Sequence, residues 1–207
     1  MKHIKSHEIV GINFLIIMAS LIFLSPFFFE YKFSDKIIIP LFWVIIFDMS
    51  ANYFFFSMFK KINSANKSAI ISMISTFSFV IGWLFWIKII SYYVTFLIFI
   101  IFFVISFLIL KNHFFKIFKL LFWANFFYFC SSLPSGIILF DLKLMNAPTL
   151  YMVRAGAIGI FATLFSANLQ KLTQKEYKMI FLRGLLVIGQ WVSMYLALIE
   201  ISLKKFF

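Results

Sequence analysis

The residues able to do chemistry in this chain are few, and most stand inside long apolar runs where a charge is costly. Asp48 lies near the middle of the run Ile37 to Phe59. In a helix rising 1.5 Å per residue it is about 16 Å from either end, too far for its short side chain to reach water. Burying a charge at that depth costs at least ~2.5–3.5 kcal/mol on insertion scales. Asp48 therefore reads either as a proton carrier or polar contact in a central cavity, or as an aspartate that fixes a helix contact by hydrogen bonding. Asn52 follows one turn later. Arg154 stands only five residues into the run Thr149 to Leu169. Its long side chain either snorkels to the interface, the preferred outcome because no charge then stays in hydrocarbon, or caps a cavity and holds an anionic substrate group bidentately. Arg183 reads as an interfacial anchor.

Around these sit the neutral polar groups Asn125, Ser131, Ser132, Asn168 and Gln190, the last near the midpoint of the final run. Taken singly, each is explained by interhelical hydrogen bonding worth about 0.6 kcal/mol. Trp43, Trp83, Trp86, Trp123 and Trp191 can line a pocket for a planar organic molecule or belong to interfacial belts and lipid-facing packing. Pro26, Pro40 and Pro134 stand close enough to run ends to serve as ordinary punctuation.

Several chemistries are excluded. One cysteine, Cys130, allows no internal disulfide, and three histidines, His3, His7 and His113, form no cluster spaced for zinc, haem or iron–sulfur, so no metal or cofactor is expected. The remaining acids are mostly in loops or near run ends, where they do not converge. The element SLPSG at 132–136 lacks the histidine and arginine companions of a phosphatase, and no glycine loop cradles phosphates. An enzyme is not expected, nor a nucleotide-driven pump acting alone. The net charge of +12 comes mostly from lysines in short gaps between apolar runs. That pattern belongs to membrane topology rather than to a nucleic-acid partner.

The elements that must position these residues are membrane helices. The chain is 64% hydrophobic with 33 phenylalanines and a mean hydropathy of +1.04, whereas soluble domains are roughly 45–50% apolar. It reads as an all-α, multi-pass membrane helix bundle whose first partner is the lipid bilayer. A span needs about 20 apolar residues, and about seven runs qualify: Ile9 to Phe29, Ile37 to Phe59, Ser68 to Ile87, Ile89 to Leu110, Phe118 to Phe140, Thr149 to Leu169 and Met179 to Leu203. The third and fourth almost touch at Lys88, so one long kinked segment competes with two helices there. The first run is too long for a cleaved signal peptide and lacks a small-residue cleavage site after it. With seven crossings, eleven lysines fall on the N-terminal side and six on the other, which places the N-terminus in the cytoplasm of a plasma (inner) membrane protein.

Sliding the chain by about 140 residues superposes its run-and-loop pattern, laying the run from Ile9 on the run from Thr149 and bringing Gln190 close to Asp48. The segment LFWANFFYFCSSLPSGIILFDLKLMNAPTLYMVRAGAIGIFATLF resembles the opening of an EamA-type repeat of the drug/metabolite transporter superfamily: a first helix with small and polar residues, a short loop, a proline, then an arginine in the second helix. MYLALIEIS is similar to that family's third helix, and FFFSMFKKINSANKSAIISMISTFSFVIGWLFWI to a third helix passing into a fourth. The resemblance implies two five-helix repeats cut at both ends, with helices two to five in 1–112 and helices one to three in 113–207. Glycine is scarcer than in such transporters, at 7 in 207.

What the resemblance implies for function is a secondary transporter of a small organic metabolite or amphipathic compound by alternating access, proton-coupled or facilitative. The substrate-path candidates are Asp48, Asn52, Asn125, Arg154, Gln190 and Trp191. A homodimer would complete the bundle. The alternative is a non-transporting structural or accessory membrane protein, or a decayed transporter fragment. In the arginine-bearing helix, Ala155, Gly159, Thr163 and Ala167 recur every four residues and form a small-residue ridge, which predicts a buried packing element.

Overall fold

The structure is a computed structural model describing residues 6–32, 34–62, 65–111, 114–164, 173–174, 177–178, 181–182, 184–190, 193, 197 and 200. Its helices are α1 (Ser6–Leu24), α2 (Ile38–Phe59), α3 (Ala65–Trp86), α4 (Tyr92–Leu110), α5 (Phe114–Gly136) and α6 (Ala147–Leu164). The described residues contain no strand, only an isolated bridge between Tyr31 and Met145. Five segments are long and apolar enough to cross a membrane: Glu8–Phe27, Asp35–Phe59, Tyr92–Leu110, Ile117–Asp141 and Ala147–Leu164. The apolar part of α3, Ile70–Trp86, is shorter. About half of the seventh run, Met179 to Leu203, lies outside the described residues.

The third and fourth runs are two helices. Lys88 adopts a left-handed φ of 57° and the Ile89 N–H donates back to the Leu84 carbonyl at 2.9 Å, the geometry that ends a helix. Ser91 then caps α4, its hydroxyl oxygen accepting from the Val94 N–H at 3.4 Å. Pro134 departs from the expectation of punctuation, since it stands inside α5. Lacking an N–H, it cannot bond the carbonyl four residues back, and the chain widens into a π-helical turn over Ile137–Asp141 instead of stopping.

The chain forms two compact units. In the first, α1 and α6 pack face to face. A Cβ built on Gly11 would lie 2.8 Å from the Thr163 methyl, one on Gly159 2.9 Å from the Leu15 backbone nitrogen, and one on Gly156 2.8 Å from the Met18 sulfur. At Gly11 and Gly159 backbone stands within reach and leaves room for hydrogen alone, whereas Met18 can give way at Gly156; as α1 advances from Gly11 to Met18, α6 recedes from Thr163 to Gly156, so the helices are antiparallel. The predicted small-residue ridge is therefore a packing surface, with Ala155 and Gly159 buried and Ala167 outside the described residues. Asn146 starts α6 by accepting from the Thr149 N–H at 3.0 Å, and its amide also donates to the Phe28 carbonyl. The Thr149 hydroxyl accepts from the Glu30 N–H at 3.0 Å. The turn after α1 is thereby tied to the start of α6.

In the second unit, α3 and α5 approach closely. Gly82 seats Ser132 and the Phe129 carbonyl, and a Cβ on Gly136 would meet the Trp86 ring at 2.5 Å. Numbers rise together along this contact, so α3 and α5 are parallel. Helix α4 runs antiparallel to α5, with Phe99 against Phe129 and Phe103 against Phe118, both at 5.4 Å between ring centroids. Helix α2 is held off α5 by a layer of rings, Phe47 on Phe127 at 6.1 Å and Phe54 on Trp123 at 6.5 Å, again antiparallel. Each of these directions is the one that consecutive single crossings require.

Candidate functional site

A cavity of about 400 Å³ lies in the second unit among α3, α4 and α5. From α4 it takes Tyr92, Thr95, Phe96, Phe99, Ile100 and Phe103; α5 gives Phe122, Asn125, Phe126 and Phe129, and α3 gives Phe85. Eight of these eleven residues are aromatic, and none is an acid, a lysine, an arginine or a histidine, so the space favours apolar rings and repels charge. The rim residues Tyr92, Phe96, Ile100, Phe122 and Phe126 are exposed, whereas Thr95 and Asn125 are buried.

Asn125 is the polar end of this space. Its Nδ2 donates to the Leu121 carbonyl at 2.8 Å, and its Oδ1 accepts from the Ser78 hydroxyl at 2.8 Å. These two bonds fix which end of the amide faces which neighbour. An asparagine offers two N–H donors and two lone pairs, so one of each remains beyond these bonds. Thr95 is committed locally, its hydroxyl donating to the Ser91 carbonyl at 3.0 Å.

Asp48 is buried at 1% exposure, and Asn52 beside it is buried too. The Asn52 amide donates to the Asp48 backbone carbonyl at 2.8 Å and accepts from the Tyr128 hydroxyl at 3.0 Å. Asn52 thus joins α2 to α5, and neither it nor Asp48 lines the aromatic cavity.

Arg154 belongs to the first unit, and its expected snorkelling is overturned: the residue is 1% exposed. The guanidinium carbon sits 4.8 Å from the Tyr151 ring centroid, a cation–π arrangement. The physical reason is its helical face, because Leu150, Tyr151 and Ile158, three and four residues away, are buried with it. Gln190 is exposed. Asn168, Arg183 and Trp191 lie outside the described residues.

None of the described tryptophans lines the cavity. Trp83 is fully buried and Trp43 exposed, while Trp123 backs the cavity wall through Phe122 and Phe126 at 5.4 and 5.6 Å. Sequence reasoning found Asn125 but missed Ser78, Thr95, Tyr128 and the rings of α4. One signal was present. Thr95 and Ser106 stand eleven residues apart, three helical turns, and they are buried in a helix whose apolar stretch is only 17% buried; the rare polar residues mark the inward face.

No family model matches the sequence, and no curated protein or solved structure matches it.

Proposed function

We propose that the protein is a small secondary transporter of the plasma (inner) membrane, carrying an amphipathic organic compound through the bilayer as the EamA-like resemblance implies. The repeats of that reading, 1–112 and 113–207, describe ancestry, whereas the two compact units describe packing. The observation that carries the proposal is the aromatic cavity with its single well-positioned amide. Its volume of about 400 Å³ lies within the ~300–1,000 Å³ of small-molecule sites, and apolar walls with a few placed polar groups are their usual construction. Asp48 is the residue for proton coupling, as the only acid between residues 42 and 137 and one buried within a span.

The test is uptake of a fluorescent planar amphipathic dye into proteoliposomes, with and without a pH gradient. Saturable uptake above that of protein-free vesicles, reduced about tenfold by the cavity-filling change Phe99→Trp, supports transport; uptake equal to empty vesicles overturns it. Asp48→Asn is expected to abolish gradient-driven accumulation while leaving exchange down a concentration gradient. Accumulation that is unchanged in this variant across a pH series removes the proton role.

A further inference from the structure

We infer that the aromatic cavity takes a neutral, planar aromatic molecule that enters sideways from the bilayer and presents one ring-borne oxygen to Asn125. This rests on the ligand-carrying reading of the same cavity and narrows its substrate class.

Three observations converge on that chemistry. The first is charge. No ionised side chain faces the space, and an unpaired charge inside a span costs at least ~2.5–3.5 kcal/mol, so the occupant is neutral. The second is shape. Rings of α4 and α5 line the cavity together, and ring pairs in edge or offset geometry gain ~0.5–1.5 kcal/mol beyond their buried area. A planar ring collects that gain at several walls, whereas an acyl chain fills the volume without it and offers Asn125 nothing. The third is polarity. Asn125 is 4% exposed with its amide held by Leu121 and Ser78, leaving one N–H and one lone pair. The amide already holds one bond at each end, and an oxygen on the ligand supplies an acceptor for its second N–H.

The route follows from the rim. Tyr92, Phe96, Phe122 and Phe126 line the cavity and are exposed, and all four belong to segments apolar and long enough to span a membrane. The surface they present is therefore bathed by lipid, and a ligand dissolved in the bilayer reaches the cavity between α4 and α5 without passing through water. Ser78 is a positioning residue: it orients the amide and does not touch the ligand.

The experiment uses the full chain in lipid nanodiscs and binding of tritiated menadione, a neutral naphthoquinone, read by scintillation proximity. Competitors are 2-methylnaphthalene, which has the same rings without oxygen, naphthalene-2-sulfonate, which carries a charge, and palmitate. Expected are saturable menadione binding, about tenfold weaker competition by 2-methylnaphthalene, and none by the sulfonate or palmitate. Asn125→Leu should weaken menadione about tenfold and leave 2-methylnaphthalene unaffected, erasing the preference for oxygen. Ser78→Ala should shrink that preference about threefold. Phe99→Trp, which leaves the Asn125 network intact, should exclude both ring compounds. The inference is overturned if the two ring compounds compete equally in the wild type, if Asn125→Leu binds menadione unchanged, or if the sulfonate or palmitate competes best. Menadione binding as expected without dye uptake in vesicles would remove the transport reading alone. Dye uptake without binding of any neutral ring would remove this inference alone.

Discussion

Arg154 keeps its charge inside the protein by lying over the face of Tyr151, with the guanidinium carbon 4.8 Å from the ring centroid. A desolvated pair of this kind is worth about 2 kcal/mol. Tyr151→Phe preserves the ring and should change stability little, while Tyr151→Leu should lower it by ~1–2 kcal/mol, measured by thermal unfolding in detergent. Equal losses in both variants would assign the effect to the hydroxyl instead. At this scale the sequence told which residues matter better than what they do. Asp48 and Asn125 stand out from composition alone because polar groups in apolar runs need a reason. The burial of Arg154 was not legible, since a side chain five residues into a helix points to water or protein according to a neighbouring surface that local sequence does not name.

Among elements, the closest fits are made by missing side chains. A Cβ on Gly159 would stand 2.9 Å from the Leu15 backbone nitrogen, and backbone has nowhere to go without moving the helix. Gly159→Leu should destabilise the protein by at least ~1–3 kcal/mol, whereas Gly189→Ala, at a position with no atom within 4 Å, should be neutral. Helix ends show a different economy. Lys88, Lys111 and Lys143 all adopt positive φ, and no described glycine does. Left-handed backbone costs a side-chain-bearing residue ~1–2 kcal/mol, so Lys88→Gly should raise the unfolding temperature in detergent. Among the described residues, α1 to α6 followed from run length, with ends that differ by up to five residues, as Leu24 against Phe29 in α1. The separation at Lys88 needed Ser91 as a cap, and the π-turn after Pro134 has no signature in the residues around it.

For the molecule as a whole, helix direction is the observation with the widest reach. In the second unit, α2 and α4 end where α3 and α5 begin, so Lys60, Lys61, Lys67, Lys111 and Lys119 share one end and Lys88 stands at the other. The lysine distribution predicts that the lysine-rich end faces the cytoplasm. With Cys130 replaced by alanine, single cysteines at Ile62 and Lys111 should react with an impermeant maleimide only after spheroplasts are permeabilised, while one at Ile89 should react from outside at once. The reverse pattern would invert the topology.

The pairing of α1 with α6 has a consequence in time. Glu8, Asn13 and Gly11 on α1 are buried in the finished protein, yet the helix that packs on Gly11 and Leu15 is made only after four others. At a ribosome speed of about 5–20 residues per second, that wait is roughly 7–30 s. Through it the nascent first helix waits without α6 packed on Gly11 and Leu15, so it is expected to stay beside the insertion machinery rather than in open lipid. Chains arrested before Ala147 should be cleared by membrane proteases, and chains arrested beyond Leu164 should persist.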